Sequence, residues 1–211
     1  MDYNDYRREY VLGGLRREML ASSPIEQFDR WQQQAIAAGL KDPTAAALAT
    51  TDGAGQLWQR IVLIKGVSDQ GFVFYTNYDS AKGQALAASG RASLLFPWNE
   101  LDRQVTVSGT VSRVDASVSD AYFASRPRES QLGAWASAQS EAIESRDALE
   151  AAYDAVVERF GEGPIPRPPH WGGFCVAPEQ IEFWQGGARR LHDRLRYQLD
   201  NGAWRVTRLQ P

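Results

Sequence analysis

Cysteine is almost missing from this chain. Cys175 is the only one in 211 residues, so no disulfide can form within the chain and a thiolate zinc site has no second sulfur ligand. Histidine is nearly as scarce. His170 and His192 stand far apart, with no carboxylate at ligand spacing, which leaves little basis for a zinc or iron centre. No apolar run reaches membrane-spanning length, and the opening MDYNDYRREY lacks the hydrophobic stretch of a secretory leader. The expectation is a cytoplasmic protein with no membrane partner. Excess positive charge is lacking too: 23 basic residues against 26 acidic ones give a net charge of −3. That argues against a sequence-independent nucleic-acid binder, though not against a small phosphate ligand met by a few local cations. The patterns G-x-G-x-x-G, G-x-x-x-x-G-K-S/T and G-x-S-x-G are also absent, so dinucleotide-fold, P-loop and hydrolase-elbow readings have no motif.

What the chain does have is a large apolar share, 43% of residues, in short segments suited to strands. Residues 1–23 are polar, without periodicity, and read as a mobile leader; residues 24–211 read as a single domain. Ser23 and Pro24 open a helix whose apolar face begins with Ile25 and Phe28 and which ends near Gly39. Strands are predicted at 45–50, 58–67, 71–76, 91–96, 104–114, 171–176, 181–185, 194–199 and 204–209, the last two joined as a hairpin across Asp200-Asn201-Gly202. Helices are predicted at 117–125 and 145–160, with a Pro/Gly linker at 161–169. About nine short strands and few helices suggest a closed or nearly closed antiparallel barrel with helices outside.

Four groups could carry chemistry. In Arg60-Ile61-Val62-Leu63-Ile64-Lys65 the apolar centre reads as a strand covered on both faces. Its two cations either snorkel from its ends or serve a cofactor and a substrate on opposite faces. Tyr75-Thr76-Asn77-Tyr78-Asp79-Ser80-Ala81-Lys82-Gly83 is a strand end, a polar loop and a helix start, a weak pattern for a phosphate cradle. Tyr122, Arg126, Arg128 and Ser130 make a second cationic group, read either as a solvated helix end or as an anion site. Finally, Arg190, His192 and Arg194 alternate, and on an extended segment they share one side. Two guanidiniums around an imidazole favour an anion among them. His170 reads as structural. Arg16-Arg17, with Arg208, reads mainly as exposed charge, with a further phosphate site as the alternative.

Residues 181–194, Ile-Glu-Phe-Trp-Gln-Gly-Gly-Ala-Arg-Arg-Leu-His-Asp-Arg, resemble the C-terminal signature of the pyridoxine/pyridoxamine 5′-phosphate oxidase family. The likeness covers essentially the whole chain and includes Arg7-Arg8-Glu9-Tyr10, Arg60 to Lys65, Phe74-Tyr75-Thr76-Asn77, Arg103-Gln104-Val105, Ser125-Arg126-Pro127-Arg128 and Trp171-Gly172-Gly173-Phe174. This resemblance implies a mainly β (α+β) fold, a split β-barrel of antiparallel strands with peripheral helices, forming a homodimer with FMN at the interface. It assigns FMN to Arg60, Ile61, Val62, Leu63, Ile64, Lys65, Tyr75, Thr76, Lys82, Gln104, Gln139, Ser140, Trp184 and Arg194. It assigns the substrate to Lys65, Tyr122, Arg126, Ser130, Arg190, Leu191 and His192, with Arg7, Arg8, Glu9 and Tyr10 of the leader folding over it. The implied reaction is oxidation of pyridoxamine or pyridoxine 5′-phosphate by O2 to pyridoxal 5′-phosphate, releasing hydrogen peroxide, and ammonia from the amine. Arg190 and His192 are the implied catalytic pair, His192 as a proton acceptor. The chain departs from the family at Ala81, where an arginine is common, and weaker flavin binding is the expected result. The rival reading is a non-catalytic flavin or pyridoxal-phosphate carrier on the same fold, which has no need of the substrate group.

Overall fold

In the computed structural model, which describes residues 9, 10 and 14–211, Ser23 and Pro24 open helix α1 (Pro24–Ala37) as their types predict. The Ser23 side chain accepts a hydrogen bond from the Ile25 N–H, and Pro24 occupies the first helical position. Pro24, Gln27, Phe28, Trp31 and Ala35 form the buried stripe, the spacing of one helix face. Phe28 is the centre of that stripe. Its ring centroid lies 4.9 Å from that of Phe72 and 4.8 Å from that of Phe96, so α1 closes the core laid down by the strands.

Those strands are β1 (Ala45–Thr51), β2 (Leu57–Leu63), β3 (Gly66–Ser68), β4 (Gly71–Asn77), β5 (Arg91–Trp98), β6 (Arg103–Arg113), β7 (Trp171–Gln185), β8 (Asp193–Asp200) and β9 (Ala203–Leu209). All pair antiparallel, in the order β2-β1-β5-β6-β7-β4-β3, with β8 pairing the far half of β7 and then β9. The two ends of this order come together. Ile64 donates its N–H to the Thr44 carbonyl at 2.9 Å, and Lys65 donates to the Val73 carbonyl at 2.8 Å. The segment expected as one strand over 58–67 is therefore broken at Ile64 and Lys65, where the chain crosses from the β1 side to the β4 side. This curls the sheet into the split barrel, with Leu48, Phe74, Leu94, Val105, Ile181, Phe183 and Tyr197 filling its interior.

Two expected strands, 171–176 and 181–185, are one 15-residue strand, β7. Pro178, between the two expected strands, sits at a β-bulge. Ser108 faces Gln180 and Gly109 faces Pro178, so Glu179 is the extra residue. Here β7 also changes neighbour, from β4 (Phe72 to Asn77) to β8 (Asp193 to Gln198). A second correction concerns β2. Expected to be covered on both faces, it is an edge strand, with Ile61 62% and Leu63 43% exposed, and only Ile64 beyond its end is buried.

Helices α2 (Ala81–Ser89), α3 (Ala116–Ser125), α4 (Arg128–Ala136) and α5 (Arg146–Phe160) complete the molecule. The last three build a separate small core on Phe123, Leu132, Ile165 and Trp171. Residues ahead of α1 also join the body. Leu15 is buried with its N–H on the Asp193 carboxylate (2.9 Å), and the Tyr197 hydroxyl donates to the Ala21 carbonyl (2.6 Å). Arg7 and Arg8 lie outside the described residues.

The bulge demands a bare backbone at Gly109, because a Cβ there falls inside contact distance of the Ala177 carbonyl, itself main chain. Gly109→Ala should lower stability by about 2 kcal/mol or more. An unchanged urea midpoint would show that the bulge backbone yields.

Candidate active site

A cavity of about 490 Å³ lies where the two cores meet, between the β2 edge, the end of β4, the start of β7 and helices α2 to α4. The sheet's curl explains its position: β2 and β4 stand far apart in strand order, yet both line the cavity. Of the residues implied for FMN, Ile61, Val62, Leu63, Lys65, Tyr75, Thr76, Lys82 and Gln139 line it. Of those implied for the substrate, Lys65, Tyr122, Arg126 and Ser130 do so.

One wall is a cation held by neutral oxygens. Ser80 caps α2 by accepting from the Gly83 N–H, which sets Lys82 in the helix's first turn. The Lys82 ammonium donates to Gln139 Oε1 (2.7 Å), Thr76 Oγ1 (3.2 Å) and Ser80 Oγ (3.3 Å). Burial lowers its pKa, and the Arg60 guanidinium nearby lowers it further. Arg60 is itself fixed by Thr50 Oγ1 (2.7 Å) and the Leu48 carbonyl (3.2 Å), and burial lowers its pKa as well. Ala81 is exposed beside this cradle, so the position where family members carry an arginine adds no charge.

The opposite wall is aromatic with a second cation. The Tyr75 and Tyr122 rings stack at 3.8 Å and 14°, and Tyr75 and Trp171 at 5.5 Å and 10°. Arg126 follows α3, with Nη1 buried and without a hydrogen-bond partner, and burial lowers its pKa while Tyr122 partly opposes that shift. Among the described residues, Arg60, Lys82 and Arg126 make no salt bridge to a carboxylate. Desolvated cations without anions are costly unless a ligand supplies the charge, and the donor set suits phosphate.

A second cluster forms at the other end of β7. Tyr10 packs edge-on against Trp184 (5.6 Å) and His192 (5.1 Å), with the Arg190 guanidinium 5.7 Å from its ring. Arg190, His192 and Arg194 do not share one extended face as expected. Ala188–Arg190 is a tight turn, with φ of 56° at Arg189 and 63° at Arg190, and Tyr10 regathers Arg190 and His192. His192 Nδ1 accepts from the Gly187 N–H (3.1 Å), so the neutral imidazole carries its proton on Nε2. Burial and then Arg190 lower its pKa. Arg194 Nε pairs with Glu182 (2.7 Å) and Nη1 donates to the Gln210 carbonyl (3.1 Å). Gln104 lies opposite Trp184 in the sheet.

Some expected residues fall outside both clusters. The Ile64 side chain belongs to the core, so only its backbone can serve a ligand. Ser140 is exposed at a φ of 78° beside Gln139, Glu9 is exposed, and Leu191 is 67% exposed at the rim of the second cluster. Arg128 turns away, donating to the Gly161 and Gly163 carbonyls at the end of α5. His170 is structural, its Nε2 on the Ala134 carbonyl. Arg208 is engaged by Asp193 and the Leu15 carbonyl, and Arg16 by Glu18, which favours the bland reading of that group. Asn77, within the loop expected as a phosphate cradle, also lines the cavity; Gly133, Ala134, Ser137 and Trp171 do so without a role having been assigned to them, and three of these four lie on or just after α4, a helix with no clear periodic signal.

Comparison with known proteins identifies the family. The family profile described as pyridoxamine 5′-phosphate oxidase matches residues 32–160, and that described as the pyridoxine 5′-phosphate oxidase C-terminal dimerisation region matches 171–211. Proteins named pyridoxine/pyridoxamine 5′-phosphate oxidase are 52% identical in Teredinibacter turnerae, over all of both chains, and 55% identical in Paraburkholderia phymatum, over 98% of each. Among solved structures, PhzG from Burkholderia lata, in complex with tetrahydrophenazine-1-carboxylic acid, superposes with a TM-score of 0.89 at 33% identity, covering 95% of this chain and 99% of that one. An FMN-binding protein from Nostoc punctiforme shares the fold at a TM-score of 0.71 and 14% identity, over 91% and 100% of the two chains. With both halves matched and relatives above 50% identity over nearly the full length, the chain belongs to the pyridoxamine 5′-phosphate oxidase family.

Proposed function

We propose that the chain oxidises pyridoxamine 5′-phosphate and pyridoxine 5′-phosphate to pyridoxal 5′-phosphate with FMN and O2, as a homodimer holding FMN between its subunits. The observation that carries this reading is the pair of anion-seeking groups on one cavity, Lys82 on one wall, with Arg60 behind it outside the lining, and Arg126 on the other, none salt-bridged to a carboxylate among the described residues. One suits the FMN phosphate and the other the substrate phosphate. Bound FMN would supply a two-electron acceptor that O2 regenerates, so that alcohol and O2 would give aldehyde and hydrogen peroxide, and amine, O2 and water would give aldehyde, hydrogen peroxide and ammonia.

Separation along β7 supports the dimer. Trp171 at one cluster and Trp184 at the other are thirteen residues apart, at most about 40 Å along a strand that the bulge bends. The dimerisation-region profile over residues 171–211 supports a partner too, and in this reading the cavity of one chain meets the Tyr10, Trp184 and His192 cluster of the other. The exposed Ile61 and Leu63 on β2 give such a partner an apolar surface to cover.

Within that site, phosphate binding at Arg126, Tyr122 and Ser130 fixes the substrate at a distance from C4′ and turns binding into orientation. Arg190 and the Nε2–H of His192 are the groups placed to hold the C4′ substituent. The hydrogen bond from Gly187 to Nδ1 supports a donor role for His192 in place of the proton-accepting role expected from sequence. A carrier has no use for these groups, and the observation discriminating it is simple. The purified protein should be yellow and consume O2 with pyridoxamine 5′-phosphate; a colourless protein, or one without uptake after FMN is supplied, sinks the reading.

Three further outcomes are expected. Arg190→Ala should reduce turnover by roughly a hundredfold or more while FMN stays bound, and undiminished turnover removes its role. Ala81→Arg adds a charge-assisted contact beside Lys82 and should tighten FMN binding by roughly tenfold, read by fluorescence titration. For pH, His192 is neutral above its lowered pKa. Activity should hold through neutrality and fall on acidification only below the ordinary histidine range, as protonation at Nδ1 breaks the Gly187 hydrogen bond beside Arg190. An acid limb at or above that range contradicts the assignment.

A further inference from the structure

Arg126 is held by rings where most buried arginines are held by acids. Its guanidinium carbon lies 4.6 Å from the Trp171 ring centroid and 5.6 Å from that of Phe123. Its backbone is fixed independently: Pro127 follows it, its φ and ψ are −74° and 150°, and its carbonyl accepts from Gln131 Nε2 at 2.9 Å. The remaining freedom is in the side chain, and the indole face limits it.

Trp171 is well placed to act as a fixed surface. It is 7% exposed and begins β7 opposite Asn77. Its N–H donates to the Pro168 carbonyl at 3.0 Å, and its carbonyl accepts from Arg167 Nη1 at 2.6 Å. Arg167 Nε in turn pairs with Asp120 on α3 at 2.6 Å, tying the tryptophan to the helix that delivers Arg126. Tyr75 stacks against the indole as well. A carboxylate would orient Arg126 equally well but would cancel its charge. An aromatic face orients a guanidinium and leaves its N–H edge charged and available.

We propose that Trp171 is a positioning residue for the substrate, its indole face aiming the free N–H edge of Arg126 into the cavity to receive the substrate phosphate. This rests on the reading of Arg126 as the phosphate site. Trp171 therefore governs phosphate affinity and leaves the redox step and FMN binding alone.

The test is a mutant cycle on the FMN-loaded enzyme with pyridoxamine 5′-phosphate, using Trp171→Leu, Trp171→Phe, Arg126→Met and the double variants. Trp171→Leu should raise KM about tenfold with kcat within about twofold and the FMN Kd unchanged. Trp171→Phe, which keeps a ring face, should recover most of that loss. In the Arg126→Met background either substitution should add almost nothing, because the group being aimed is gone. Competitive inhibition by inorganic phosphate should weaken in parallel with KM. Additive effects in the double variants, failure of Phe to recover KM, or a loss of FMN affinity matching the loss in KM would reduce Trp171 to packing and overturn the inference. If Trp171→Leu does not fold, the Phe variant alone, additive or not with Arg126→Met, decides. An unchanged KM in Arg126→Met would defeat the phosphate reading itself, and this inference with it; an elevated KM there with no effect at Trp171 defeats only the inference.

Discussion

A single strand sets the distances on which everything else depends. β7 pairs with β6 along nearly its whole length while handing its other edge from β4 to β8. An uninterrupted ladder of 15 residues would hold β7 and its three partners in one twisted plane. The bulge at Gly109 and Pro178 places the kink at the changeover, so each half of β7 faces a different neighbour. The β4 half carries Trp171 to the cavity, and the β8 half carries Trp184 to Tyr10 and His192. One element thus carries both clusters, at opposite ends of its 15 residues. In the proposed reading, that separation is bridged by a partner subunit, in keeping with the dimerisation-region profile matched over residues 171–211.

Charge placement separates the site from the rest of the surface. Arg30 with Glu26, Arg146 with Glu150 and Arg91 with Glu179 are exposed pairs of ordinary geometry, screened by water and of little weight for stability. At the cavity the pattern inverts: Lys82 leans on amide and hydroxyl oxygens, Arg60 on a carbonyl and a hydroxyl, and Arg126 on indole and phenyl faces. Neutral partners fix the geometry and leave the charge uncancelled. Folding alone gains little from that choice, since each cation is partly desolvated for no ion pair in return. The arrangement makes sense as preorganisation for anions that arrive later.

Much of the barrel was legible in sequence because it rests on period-two burial and local turn chemistry. Strands β1, β4, β5, β6, β8 and β9 lie within a residue or two of their expected limits, and α1 starts where Ser23 and Pro24 place it. The misses have tertiary causes. Pro178 marks a bulge in a strand that continues, since β6 supplies the pairing that the local sequence appears to refuse. The apolar run at Ile61 looks buried in sequence but lies on an edge strand, with Ile61 and Leu63 exposed. Site residues were legible where family motifs name them, and the structure divides them into two groups. Residue spacing could not find Trp171, because its role depends on packing against Arg126, forty-five positions earlier. Nor could spacing see that the turn at Arg189 breaks the alternation of Arg190 and His192.

The same physics explains why Ala81 is tolerable. An arginine there would bring one more fixed charge to the cradle, where burial already lowers the Lys82 pKa and the charge of Arg60 lowers it further. A bound phosphate reverses that balance: its charge offsets the repulsion and draws the Lys82 pKa back up, so cofactor binding and lysine protonation reinforce each other. With fewer cations in the cradle, less repulsion has to be offset in the folded chain before phosphate arrives. The loss of one contact in the bound state is thus partly matched by relief in the free state. If the cradle holds the FMN phosphate as proposed, the net effect on affinity is smaller than the value of one charge-assisted hydrogen bond counted alone.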